Sequence, residues 1–149
     1  MGRTIALATL AAGTLDILAA TLLTLFYHKA PADMLRGVAS GPFPDATQWG
    51  TGGACLGLVT HFALMAIMAA VFVLAARNWP ALTAAPIKLG VIYGLVTYVV
   101  MNLIVVPLRF GGWPPKPLSI ATQLFCHIVL VGIPIALIAA RGLGAKPAA

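Results

Sequence analysis

Four polar side chains stand one in each apolar segment of this chain: Asp16, His61, Asn102 and His127. An ionisable side chain in the middle of a membrane-crossing segment is costly, by about 2.5–3.5 kcal/mol for Asp on insertion scales, so it marks a candidate functional site. An imidazole titrates near physiological pH and can exchange a proton with a neighbouring carboxyl group. These residue types therefore point to the handling of protons, ions or a small polar ligand.

The elements that must position these residues are long and apolar. The chain has 149 residues, of which 61% are hydrophobic and 8% are charged, whereas a soluble domain carries about 25% charged residues. Four continuous apolar runs each reach the roughly 20 residues that a helix needs to cross a bilayer. They cover about 4–27, 53–76, 87–107 and 118–140. We expect an all-α membrane protein, with residues 1–149 forming one membrane domain and four transmembrane helices in an antiparallel bundle.

The connections between the runs differ in length. Residues 28–52 form a long first loop, predicted to be extracytoplasmic, in which residues 33–39 favour one or two helical turns at the membrane interface. Trp79 and Trp113 fall where interfacial aromatic anchors belong. Pro134 lies inside the fourth run and predicts a kink there, because a proline leaves the carbonyl four residues earlier without its N–H donor.

The charges indicate a membrane rather than nucleic acid as the partner. The formal net charge is +6, with only 3 acidic residues, and no basic stretch is interleaved with aromatic residues. Five basic residues flank the runs on the side of the two termini and four on the other side, which favours cytoplasmic termini. The first group is Arg3, Arg77, Lys88, Arg141 and Lys146, and the second is Lys29, Arg36, Arg109 and Lys116.

Depth along each run predicts which polar residues can meet. At about 1.5 Å per helical residue, Asp16 lies about 16 Å, His61 about 12 Å and His127 about 13 Å from the loop-side ends of their runs. Asn102, counted from Pro107, lies only about 7–8 Å deep. We therefore expect Asp16, His61 and His127 to form one layer, with Asn102 about one turn shallower.

Small and polar residues at helical spacing extend this layer. Glycines four residues apart let helices approach closely, and a glutamine or tyrosine one turn away could orient the layer. The predicted packing glycines are Gly53, Gly57, Gly90 and Gly94, and the predicted orienting residues are Tyr98, Asn102 and Gln123. The plainer interpretation of Asn102 and Gln123 is a hydrogen bond across helices, worth about 0.6 kcal/mol on average.

Three stretches, Gly57–Phe62, Tyr93–Leu108 and Gln123–His127, carry a family resemblance. Over about residues 53–141 the chain resembles the YagU-like group of small bacterial inner-membrane proteins. The resemblance implies a helical bundle in the bacterial inner membrane and, loosely, a link to acid tolerance. His61 and His127 match histidines of that family, whereas Asn102 stands where a relative has a third histidine, which disfavours a three-histidine metal site.

Three alternatives to proton or ligand handling stay open. His61 and His127 could be axial ligands of a b-type haem, with Gly57, Gly94 and Gly132 leaving room for it, because haem needs only suitably spaced imidazoles. A metal ion could instead bind Asp16 with both histidines. The chain could also be an accessory or structural subunit of a larger membrane complex, or a homo-oligomer.

An enzyme is not expected, because no activated serine or cysteine arrangement is visible. Cys126 and His127 are adjacent in sequence, and neighbours on a helix do not face each other. Both cysteines, Cys55 and Cys126, lie inside apolar runs and are predicted to be packing residues.

Overall fold

The computed structural model describes residues 1–111 and 117–144, and every regular element in these ranges is a helix. The elements in chain order are α1 (Gly2–Phe26), α2 (Pro31–Ala39), α3 (Gly50–Asn78), α4 (Pro86–Phe110) and α5 (Pro117–Gly142). All except α2 are long and apolar enough to cross a membrane. The predicted all-helical class with four such helices is confirmed, and the helix ends differ from the predicted ones by at most three residues.

Proline begins several of these elements, because the first helical residue has no use for the missing N–H. The elements that start with proline are α2, α4, α5 and two short 3₁₀ turns, Pro44–Gln48 and Pro80–Thr83. Trp79 ends α3 and is exposed, as an interfacial anchor would be. The second predicted anchor, Trp113, lies outside the described residues.

Helix α5 contacts each of the other three long helices. It packs against α4, α1 and the second half of α3, and α1 also packs along α3. The first turn of α1 meets the last turn of α5, where Thr4 lies against Gly142. At the same end the Arg77 guanidinium lies 3.3 Å from the Met1 sulfur. We call this the terminus end, and the opposite end, which carries the α1–α3 loop, the loop end.

The apolar core lies in the half of the molecule nearer the terminus end. Two alanines of α1 face larger and small residues of α3 and α5 in this core. The members of the core are Ala8, Ala12, Met65, Met68, Ala69, Phe72, Val73, Ala76, Val131, Ile135, Ala136 and Ala139. The polar residues singled out in the sequence stand where this core gives way to the loop-end half.

Glycines bring α4 and α5 into backbone contact. A methyl group on Gly90 would lie 2.6 Å from the Cα atom of Ile133, and one on Gly94 would lie 2.5 Å from the carbonyl oxygen of His127. Gly132 of α5 faces both of these glycines. The Gly90 and Gly94 pair thus contacts a long helix, and it does so next to His127.

The other glycine pair contacts the loop instead of a long helix. Gly57 lies against the backbone of Leu35 in α2, and Gly53 lies against the carbonyl of Ala46. Helix α2 therefore packs on the first turns of α3. The Arg109 guanidinium of α4 holds the end of α2 from the other side by donating to the carbonyls of Ser40 and Gly41, each at 2.7 Å.

Helices α4 and α5 each contain a π-helical segment two residues before a proline. The segments are Val99–Val105, followed by Pro107, and Cys126–Gly132, followed by Pro134. The N–H of Val106 bonds to the carbonyl of Met101, and that of Ile133 to the carbonyl of Ile128. Both are bonds to the fifth residue back, and both precede a residue that has no N–H to donate.

This finding corrects the predicted end of α4. The sequence interpretation ended the third run at Pro107, but the helix continues to Phe110. The π-helical segment shifts the backbone hydrogen bonds by one residue just before Pro107. The helix therefore continues past this proline. In α5 a π-helical segment likewise precedes Pro134, and the helix continues through the proline without a break.

The α4–α5 contact gives a direct test. Replacing Gly132 with Ala would put a methyl group 2.6 Å from the Gly94 nitrogen. We expect this to lower the free energy of unfolding by about 1–3 kcal/mol, because backbone cannot yield as a side chain can. Reversible denaturation in detergent micelles measures the change.

The control is Gly52→Ala in α3, where an added methyl group meets nothing within 4 Å. It should leave stability unchanged or raise it slightly, since Ala favours a helix over Gly. Equal destabilisation by the two variants would contradict the assigned contact.

Candidate functional site

The first polar pair joins α3 to α1 through His61. Its side chain is buried, 6% exposed, and its Nε2 lies 2.9 Å from the carbonyl oxygen of Gly13. A carbonyl oxygen only accepts, so His61 donates from Nε2. Gly13 also has no side chain to hold α3 away, and a methyl group there would lie 2.7 Å from the ring of Phe62. Gly13 thus supplies the carbonyl that accepts from His61, and its lack of a side chain lets α1 and α3 approach closely.

That bond decides what His61 presents to Asp16. With the proton on Nε2, the neutral ring has a lone pair on Nδ1. Nδ1 lies 4.0 Å from Oδ2 of Asp16, whose side chain is 19% exposed. A lone pair and a carboxylate repel each other, so the approach is favourable only with a proton on one of the two groups. The pair can hold that proton as a carboxylic acid or as an imidazolium.

The second polar pair joins α4 to α5 with the opposite tautomer. The amide nitrogen of Asn102 lies 2.7 Å from Nε2 of His127 and donates to it. The ring proton of neutral His127 must then sit on Nδ1. Nδ1 is buried and has no hydrogen-bond partner among the described residues. His61 and His127 therefore use the same ring nitrogen in opposite ways.

The predicted orienting residues fall in different places. The ring of Tyr98 stands edge-on to His127, with 6.0 Å between ring centroids, and Asn102 bonds to His127. Both thus position His127, and in the described part of the chain no hydrogen bond or ring contact joins either of them to the Asp16–His61 pair. Gln123 lines a groove between α1, α2 and α5. We expected all three residues to orient one Asp–His pair. Instead, the two histidines have separate surroundings, and Tyr98 and Asn102 belong to those of His127.

A thiol stands next to His127 in the chain. Cys126 is buried and belongs to α5. The π-helical segment that contains Cys126 and His127 packs against α1. Cys126 was predicted to be a packing residue only. Its position directly before His127 is the sequence signal that could have predicted its depth in the bundle.

The difference in depth between Asn102 and the other polar residues is smaller than predicted, because α4 continues past Pro107. Counted from the loop-side helix ends in the structure, Asn102 is eight residues deep, Asp16 and His127 are ten, and His61 is eleven. Asn102 is still the shallowest of the four, by about 3–4.5 Å, which is less than one full turn.

The arrangement does not fit the metal or haem sites considered from sequence. Within residues 1–111 and 117–144, no three His, Cys, Asp or Glu side chains come together as a metal-binding group, so Asp16, His61 and His127 are not gathered as ligands. The spaces beside Gly57, Gly94 and Gly132 are filled by neighbouring backbone. Room for a haem does not exist there.

The Asn102–His127 bond can be measured by a double-mutant cycle. Asn102→Leu and His127→Leu each remove one partner, and each should destabilise the protein because the other partner stays buried without its bond. The double variant should cost less than the sum by about 0.6–1.7 kcal/mol, the range found for hydrogen bonds between membrane helices.

A matched cycle uses Gln123→Leu with His127→Leu, since Gln123 lies one turn from His127 and has no assigned bond to it. That cycle should be additive. If the Asn102 cycle were also additive, the hydrogen bond between Asn102 and His127 would be refuted.

Comparison with known proteins adds no relative to these observations. No family model, no curated protein and no solved structure matches the chain. The resemblance to the YagU-like group stays a prediction, and the functional argument depends on the geometry of the two histidine pairs.

Proposed function

We propose that this protein is a small helical membrane protein that takes up and releases a proton at the Asp16–His61 pair. The observation that carries the proposal is the direction of the His61 ring. Its Nε2 is committed to the Gly13 carbonyl, so Nδ1 is the only ring nitrogen left to face the carboxyl group 4.0 Å away. A proton on either Nδ1 or the carboxyl group makes this approach favourable.

The proton has a limited choice of places. It resides on Asp16 when the pair is neutral, or on His61 Nδ1 when the pair is ionised, and an incoming second proton gives a protonated acid beside an imidazolium. A buried like-charged or unpaired group is costly in an apolar environment. The pair thus favours states in which the charges cancel, and a change in proton supply changes the charge of the site.

The second polar pair lies at a similar depth. Cys126 is buried in α5, and its neighbour His127 is held by Asn102 of α4. All four long helices thereby contribute to one level of the structure. Our interpretation is that His61 and Asp16 exchange the proton, and that His127 and Asn102 set the position of the α5 segment that carries Cys126.

The architecture that we propose around this site is an antiparallel four-helix bundle in the inner membrane of a bacterium. Support comes from the Thr4–Gly142 and Met1–Arg77 contacts, which pair the start of α1 with the ends of α5 and α3. Large apolar side chains such as Leu22, 67% exposed, and Ile67, 60% exposed, suit contact with lipid chains. The bias in basic residues favours cytoplasmic termini, and α2 would lie at the opposite interface.

The test is a carboxyl group that titrates with a histidine. In protein reconstituted in lipid nanodiscs, infrared difference spectra between about pH 5 and pH 8, where histidine titrates, should show coupled carboxyl and imidazole bands. Asp16→Asn should remove the carboxyl band and the coupled imidazole change. His61→Gln, which can still donate to Gly13 but cannot take up a proton, should uncouple the carboxyl group from histidine titration.

Asp45→Asn is the matched control, because Asp45 is an exposed acid on the loop. It should leave the coupled bands intact, and Asp16→Glu should restore the carboxyl band at a changed frequency. The same variants in liposomes with an internal pH dye measure flux, which should fall at least about tenfold, or 1.4 kcal/mol in barrier, in Asp16→Asn. Spectra of Asp16→Asn identical to those of the unmodified protein would refute the proposal.

A further inference from the structure

A groove with both polar and apolar side chains in its walls extends from the loop end toward the level of the Asp16–His61 pair. It has a volume of about 960 Å³ and is bounded by the last turns of α1, the first turns of α2 and α5, and the residues between α1 and α2. We call it the loop-end groove and define it by Ala20, Thr24, Lys29, Ser119, Thr122 and Gln123. In an apolar bundle, a cleft with hydroxyl and amide groups in its wall is suited to hold water.

The two walls of the loop-end groove follow single helix faces down to the site. On α1, Thr24, Ala20 and Asp16 succeed one another at intervals of four residues, which places them on one face. On α5, Ser119, Gln123 and His127 repeat the same interval. The deepest lining residue on each wall is therefore one helical turn, about 5.4 Å, from a residue of the polar layer.

The side chains in the wall leave groups free to bind water. The Thr24 hydroxyl donates to the Ala20 carbonyl at 2.7 Å, and the Thr122 hydroxyl donates to the carbonyl of Leu118 at 3.0 Å. Each hydroxyl oxygen keeps lone pairs that accept from water. Ala20 is the smallest side chain of the α1 wall and stands directly above Asp16. A larger side chain at this position would close the lower end of the groove.

The charged and titratable groups along this route are few. Tyr27, His28, Lys29 and Asp33 lie at its mouth, with Asp33 paired to Arg36. At its lower end, Asp16 is faced by His61 from α3. Between the two ends the wall offers only uncharged polar groups and apolar surface, which can order water without trapping a proton on the way.

We propose that the loop-end groove is the aqueous entry by which protons reach Asp16 from the side of the α1–α3 loop. This inference rests on the proposed function, since it names the route to the same site. The groove gives the pair access to the loop side, and the apolar core lies between the pair and the terminus end.

The test is thiol labelling with a charged, membrane-impermeant methanethiosulfonate reagent. In a background with Cys55→Ser and Cys126→Ala, single cysteines replace Thr24, Ala20 and Leu22. The Thr24 and Ala20 positions should react with reagent added on the loop side, Thr24 faster than Ala20. Leu22 is the control on the same helix, because its side chain is 67% exposed on an apolar surface and should not react in liposomes.

Proton flux after labelling completes the experiment. Attachment of the reagent at Ala20→Cys should reduce flux at least about tenfold, and labelling of the cysteine-free background should not change it. An Ala20→Cys protein that resists the reagent while Thr24→Cys reacts would overturn the entry, even if flux depends on Asp16. Labelling of both without loss of flux would also overturn it.

The two proposals fail in different ways. If both cysteines react but Asp16→Asn leaves the infrared bands and the flux unchanged, the proton function is refuted and the groove is only an aqueous cleft. If Asp16 titrates but the cleft is closed to the reagent, the function stands and its entry lies elsewhere.

Discussion

The close approach of α4 and α5 is the constraint on which the rest of the structure depends. Gly90, Gly94 and Gly132 let the two backbones touch, and no side chain could occupy the space between them. Because α5 also packs against α1 and α3, its position relative to α4 sets the position of all four long helices. Gly94 meets the backbone of His127 itself, so the same close approach brings His127 within the 2.7 Å of its hydrogen bond to Asn102.

The polar layer consists of two pairs that join different helices. His61 reaches across to α1, where it bonds to Gly13 and faces Asp16, whereas His127 is bonded to Asn102 within the α4–α5 unit. The pairs meet through the packing of the Cys126–Gly132 segment on α1. A movement of α5 relative to α1 would therefore change the surroundings of Asp16 while leaving His127 and Asn102 together. This division explains why two histidines at similar depth need not serve one ligand.

The sequence was sufficient to predict the four long helices and the residues of the polar layer, because apolar length and isolated polar residues are local signals. Partners were harder to predict, since they depend on rotation about each helix axis. Tyr98 and Gln123 sit at comparable spacing from a polar residue, yet only Tyr98 reaches His127, and Gln123 faces the loop-end groove. The depth of Asn102 was underestimated because a proline usually ends a helix, and here α4 continues past Pro107 after a π-helical segment.

Backbone groups take part in the site in ways that side chains do not reveal. The acceptor for His61 is a carbonyl oxygen of Gly13, and the acceptors for Arg109 are those of Ser40 and Gly41. A carbonyl cannot be deleted by replacing its side chain. A scan of α1 by single substitutions would thus register Gly13 as a steric position, through its contact with Phe62, and would miss its role as the group that fixes the His61 tautomer. That role is accessible only from the imidazole, or by replacing the amide that follows Gly13 with an ester, whose carbonyl oxygen is a weaker acceptor.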